Sequence, residues 1–161
     1  MSADLVTWLR EQIAEDQRAA EAAQRFHPTP WRVDPEVETT METGRWVADA
    51  ADEGVLVANG DAPARFFARW DPARVLTEVA AKRAILDDHR QVTFTDANLG
   101  IHNADVCMVC HAHLDYPDHF TEEQGDAWEY PLVQRAWPCP TVRALVAPFA
   151  SRAGFDPSWL D

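Results

Sequence analysis

Three cysteines set the tightest constraint on this chain. Cys107 and Cys110 stand three residues apart in "ADVCMVCHAHLD", and Cys139 follows in "WPCPTVRALVAPFA". A C-x-x-C turn aims two sulfurs at one point, so a fold that also uses Cys139 has to close over the residues between them. With His111 directly after Cys110, the same stretch spells C-x-x-C-H, the attachment signature of c-type haem.

Haem attachment follows export, and it would leave Cys139 idle. The N-terminal "MSADLVTWLREQIAEDQ" has acidic residues where a signal peptide carries positive charge, and no long apolar stretch follows. A cytoplasmic protein is expected. There, an odd set of cysteines points away from a disulfide framework and towards metal.

Zinc takes four ligands in a tetrahedron, drawn from thiolates and imidazoles. Cys107 and Cys110 supply a knuckle. Cys139 is the natural third ligand, because it precedes Pro140 at a helix start, where free N–H groups favour a thiolate. This is half of a treble-clef-like arrangement, with Val142 in the place of a second helical ligand. His89, closing the long helix upstream, is the preferred fourth ligand. His111 and His113 compete for that role, and His102 and His119 stand behind them. Taken singly, each histidine also reads as a solvated surface residue, and the cysteines as buried free thiols.

Around these residues the pattern is that of a single α+β domain, 1–161, with a short antiparallel sheet, three to four helices and the zinc knuckle. At 161 residues, with 47% apolar residues, the chain can bury one real core. Residues 1–30 form an N-terminal helix segment, with Leu5, Leu9 and Ile13 as its core stripe over 4–25; "FHPTPW" stops it. Residues 31–60 read as a small sheet built from "WRV", "RWVAD" and "GVLVANG", with Trp31, Trp46 and Val57 facing the core and a charged hairpin loop over 34–44. Residues 61–89 hold a short helix, "DAPARFFARW", and a long one capped by Asp71 and Pro72, with Leu76, Val79, Ala80 and Leu86 on one face. Residues 90–161 form a looser zinc-knuckle region, a helix led by Pro140, and a tail whose Phe155 and Trp159 dock back.

The net charge of −13 comes from 27 acidic and 14 basic residues. The arginines are scattered and Lys82 is the only lysine, so neither nucleic acid nor a membrane surface is an expected partner. No apolar run approaches the ~20 residues that span a bilayer. The deaminase pattern H-x-E…P-C-x-x-C is absent, as are a Gly-rich phosphate loop, a G-x-S-x-G elbow and an H-E-x-x-H helix. "HAHLD" (His111, His113, Asp115) is only a fragment of a divalent-metal cluster.

The stretches "DLVTWLREQIAEDQRAA", "TPWRV", "FARWDPARVLTEVAAKRAILDDH", "CMVC" and "WPCPTVRALVAPFA" resemble an actinobacterial and actinophage family of uncharacterised proteins, DUF6221, over nearly the whole chain. The resemblance maps that family's helix-end histidine, C-x-x-C and "PCP" cysteine onto His89, Cys107, Cys110 and Cys139. The histidine after the C-x-x-C lies outside the family pattern, which weighs further against haem. The resemblance also marks 34–44 and "YPDHFTEEQGDAWEY" as variable insertions. It brings no activity with it.

The expectation is a small protein with structural zinc that binds another protein, as a regulatory module rather than an enzyme. A Cys3His site is closed, with no position for water. Trp128, Tyr130 and Trp137 read first as packing around the metal and second as an exposed binding surface. A zinc-dependent hydrolase-type enzyme and an acidic nucleic-acid-mimic inhibitor are the alternatives.

Overall fold

The computed structural model describes residues 2–34, 44–96, 101–112 and 137–160. It is α+β, with five helices and two short antiparallel sheets. Residues 35–43 of the loop expected over 34–44, and all of "YPDHFTEEQGDAWEY", fall outside the described residues. Among those that are described, no helix is long and apolar enough to cross a membrane.

Helix α1 spans Ser2–Phe26. Leu5, Leu9 and Ile13 recur every four residues, which stacks them on one face, and all three are buried. The His27 amide makes the last helical bond, to Ala23 O at 2.9 Å. Pro28 and Pro30 have no N–H to continue it.

The chain divides into two compact units, Thr7–Arg83 and Met1–Val6 with Ala84–Asp161. In the first, β1 (Arg32–Asp34), β2 (Gly44–Ala48) and β3 (Gly54–Asn59) form an antiparallel sheet in chain order. Helix α2 (Asp61–Arg69) lies against all three strands. The core of the unit is Val47, Ala58 and Ala64, enclosed by Trp31, Val33, Val55, Leu56 and Ala68. Two alanines at its centre let the helix approach the sheet closely.

Register decides which residues face that core. Arg45 pairs with Ala58 and Val47 with Leu56, so Val47 and Ala58 share a face. Trp46 pairs with Val57 on the other face. This corrects the expectation that Trp46 and Val57 are core residues. Val57 is exposed, and the Trp46 ring lies over Gly54, where an added Cβ would overlap it. Trp31 packs against the core as expected.

Helix α3 (Pro72–Asp88) starts where its sequence says it should. Asp71 Oδ1 accepts the Arg74 amide at 2.9 Å, an N-cap, and Pro72 takes the first helical position. Val79 and Leu86 are buried and Leu76 is half-buried, but Ala80 is exposed and leaves the expected face.

The second unit contains a hairpin where looser chain was expected. Strands β4 (Gln91–Asp96) and β5 (Ile101–Cys107) pair antiparallel, with Val92 opposite Val106 and Phe94 opposite Ala104. A single helical turn, α4 (Met108–Ala112), follows at once. Helix α5 (Pro140–Val146) runs into a 3-10 turn over Ala147–Phe149, and a second such turn, Pro157–Leu160, lies against α5. Phe155 and Trp159 stack edge-on at 5.8 Å in this returning tail.

Candidate metal centre

Four donors meet at the open end of the β4–β5 hairpin. His89 extends α3 by one bond, its amide donating to Ile85 O at 2.9 Å. Two residues later the chain enters β4, where Gln91 pairs with Cys107, the last residue of β5. The Met108 amide closes this end by donating to Arg90 O at 3.0 Å. Strand pairing therefore sets the end of α3 beside the first cysteine. The turn of α4 then carries Cys110 back towards the same point, so the expected knuckle is a strand end followed by one helical turn.

Cys139 arrives from the far side of the sequence. The Trp137 amide donates to Asp105 O at 3.1 Å, which ties this segment to β5. Cys139 is the extended residue that caps α5, and its carbonyl accepts the Arg143 amide at 3.0 Å. The Arg143 side chain reaches back to Pro138 O at 3.0 Å and holds the entry to the helix. Val142, in the place of a second helical ligand, is buried.

The four donor atoms all lie within 4.8 Å of one another. His89 Nδ1 is 3.4 Å from Cys107 Sγ, 3.6 Å from Cys110 Sγ and 3.5 Å from Cys139 Sγ. Hydrogen bonding does not account for this symmetry, because an imidazole Nδ1 carries at most one proton and can serve one sulfur well. Cys107 and Cys139 are buried and Cys110 is half-buried. His89, Cys107, Cys110 and Cys139 could together hold a metal ion.

The thiols are electrostatically distinct. Burial, with the neighbouring sulfurs of Cys107 and Cys139, pushes the Cys110 thiol up to about 12. Burial acts in the same direction on Cys139. There it is outweighed by the Val142 N–H, the other two thiols and the Thr141 N–H, which hold it below its usual value. Without a cation the cluster therefore keeps some of its protons at neutral pH. A bound metal has to displace them.

His113 and His119 lie outside the described residues, as do the side chains of His102 and His111. Trp128 and Tyr130 also fall outside them, whereas Trp137 is buried and not a surface residue. Its indole N–H has no partner among the described residues.

A second group of close donors, His27, Asp49 and Glu53, occupies the other unit and was not singled out from the sequence. Asp49 is fully buried between β2 and β3. Its Oδ1 accepts the amides of Ala51 (2.8 Å) and Glu53 (3.0 Å), and its Oδ2 meets His27 Nδ1 at 3.1 Å. Burial raises this carboxyl, but the bonds from Glu53, Ala51 and His27 win and hold it below the usual carboxylate range. Those bonds explain how a carboxylate is buried here: Asp49 fastens a turn. The signal was present as the acidic turn "VADAADE" over 47–53, but acids are too common in this chain to stand out.

Compared with known proteins, the chain is matched over residues 2–161 by the model of a family of unknown function (DUF6221). No curated protein and no solved structure matches it.

Proposed function

Because the chain belongs to the DUF6221 family, which carries no assigned activity, the site itself has to suggest one, and we propose a structural zinc centre in a protein-binding module. The observation that carries this is the near-equal spacing of His89 Nδ1 from three sulfurs, 3.4, 3.6 and 3.5 Å. Zinc bonds of about 2.3 Å to sulfur and about 2.0–2.1 Å to imidazole, at the tetrahedral angle, put the nitrogen about 3.5 Å from each sulfur. The donor set suits zinc by chemistry as well, since thiolate with imidazole in a tetrahedron is its preferred environment.

Four protein donors fill the coordination sphere, so no position is left for water or substrate. This favours scaffolding over hydrolysis. Zinc binding of this kind is worth on the order of 10 kcal/mol at neutral pH. It would fasten α3, the β4–β5 hairpin and α5 together, and leave function to the protein's surface. The natural partner of such a scaffold is another protein. A role in regulation follows from the same reading.

Elemental analysis of the purified protein tests this. About one zinc per chain is expected, retained through gel filtration and lost with chelator. Elemental analysis finding no metal in the purified protein would rule the reading out.

A further inference from the structure

Helix α2 has an outward face that the metal centre does not use. Its inward stripe is Ala64 and Ala68, against the sheet. The residues one and two places further on, Arg65 with Arg69 and Phe66 with Trp70, form adjacent outward stripes at four-residue spacing. Phe66, Phe67 and Trp70 are 57%, 41% and 38% exposed. Their rings contact one another, Phe66 to Phe67 at 5.8 Å and Phe66 to Trp70 at 6.1 Å. The Arg74 guanidinium lies over the Trp70 ring at 4.3 Å. Arg65 and Arg69 have no carboxylate partner among the described residues, whereas the helix's one acid, Asp61, is taken by Arg45 at 2.6 Å.

An aromatic cluster edged by guanidinium groups that have no carboxylate partner among the described residues is unusual on a chain of net charge −13. We propose that this face of α2 docks a short acidic segment of a partner protein. The segment's apolar side chains cover Phe66, Phe67 and Trp70, and its carboxylates pair with Arg65 and Arg69. This surface presupposes the protein-binding reading above and gives that reading its partner chemistry.

Size and charge select the occupant. The exposed parts of the three aromatics amount to roughly 300 Å², far below the ~800 Å² per side of a stable interface between two folded copies. A short segment fits that area. Arginine recognises carboxylates through two parallel hydrogen bonds, and aromatic residues beside arginine are the usual anchors of peptide sites. Nucleic acid and anionic membranes present dense negative charge over long range, and the net charge of the whole chain repels both. A segment with one or two carboxylates feels mainly the local arginines, since charges beyond about 8–10 Å are screened.

The test selects random short peptides on the full-length, metal-loaded protein from a display library and measures the enriched sequences as synthetic peptides. Enrichment of Asp or Glu next to aliphatic or aromatic residues is expected. Affinity should fall about tenfold or more with Arg65→Glu combined with Arg69→Glu, and similarly with Phe66→Ser. Added salt should weaken it. All three positions are exposed, so melting temperature and zinc content should match the parent protein. Enriched peptides without acids, or affinity indifferent to these substitutions, would overturn the α2 surface while leaving protein binding in place. Retention of no peptide at all would defeat both. Tighter binding to phosphatidylserine vesicles or to oligothymidylate than to any peptide would also overturn it.

Discussion

His89 Nδ1 lies 3.5 Å from the sulfur of Cys139, fifty residues further along the chain. No local element spans that separation. The contact exists because the β4–β5 pairing and the Trp137–Asp105 bond each bring one strand of chain back to the same place.

Cys139→Ser should release the metal and cost the protein several kcal/mol of stability, a substantial part of the binding free energy of a structural zinc. Metal content and thermal melting measured together check this. Unchanged melting with full metal content would show that Cys139 is no ligand.

His89→Ala should release the metal as well, while His111→Ala and His113→Ala keep about one ion per chain. Cobalt substitution gives an independent readout. The parent protein should show the strong visible bands and thiolate charge-transfer absorption of a tetrahedral sulfur-rich site, and His89→Ala should lose them.

In the metal-free protein the joint contribution of Cys139 and Cys110 to stability should be greatest near pH 9. Cys139 is held below its usual value in the folded state, so its contribution is full above 9.0 and fades as pH falls. Cys110 is raised to about 12, so its contribution is full below 9.0 and is lost as pH climbs towards 12. Thermal melting in chelator across this range checks the prediction. In Cys110→Ala the alkaline fall should shrink.

Val47→Ala should destabilise the sheet unit by about 1.5–3 kcal/mol, because it empties a fully buried position between β2 and α2. Val57→Ala, on the exposed face, should stay within about 0.5 kcal/mol. Denaturant unfolding of the two variants tests the strand register directly.

Asp71→Ala should cost about 1 kcal/mol by removing the N-cap of α3. The loss should appear in melting temperature without loss of metal, since the cap sits at the opposite end of the helix from His89.

Legibility from sequence followed the range of the signals. Asp71–Pro72 and Cys139–Pro140 mark helix starts by chemistry confined to a few residues, and both helices begin there. The Leu5, Leu9 and Ile13 stripe is equally local. The β4–β5 hairpin was missed because its strands offer only two and four apolar positions, and its stability comes from pairing rather than from either segment. Trp46 misled by size: a large aromatic suggests a core residue, yet the core is built from Val47 and two alanines so that α2 can sit close. At the candidate metal centre the residue types were readable, because thiols at that spacing have few other uses. Their convergence was expected from ligand chemistry, and they do lie together; the hairpin that brings it about was not read.

The hairpin also makes the cluster sensitive to odd and even. Side chains alternate between the two faces of a strand, so a single deletion within β5 near Val106 would turn Cys107 away from His89, even if every ligand were retained. Changes in pairs, or beyond the irregularity at Phe94–Asp96, would leave the donors in phase. Length variation in homologous chains should accordingly collect beyond that irregularity, away from Cys107, and grafted sequences belong there too.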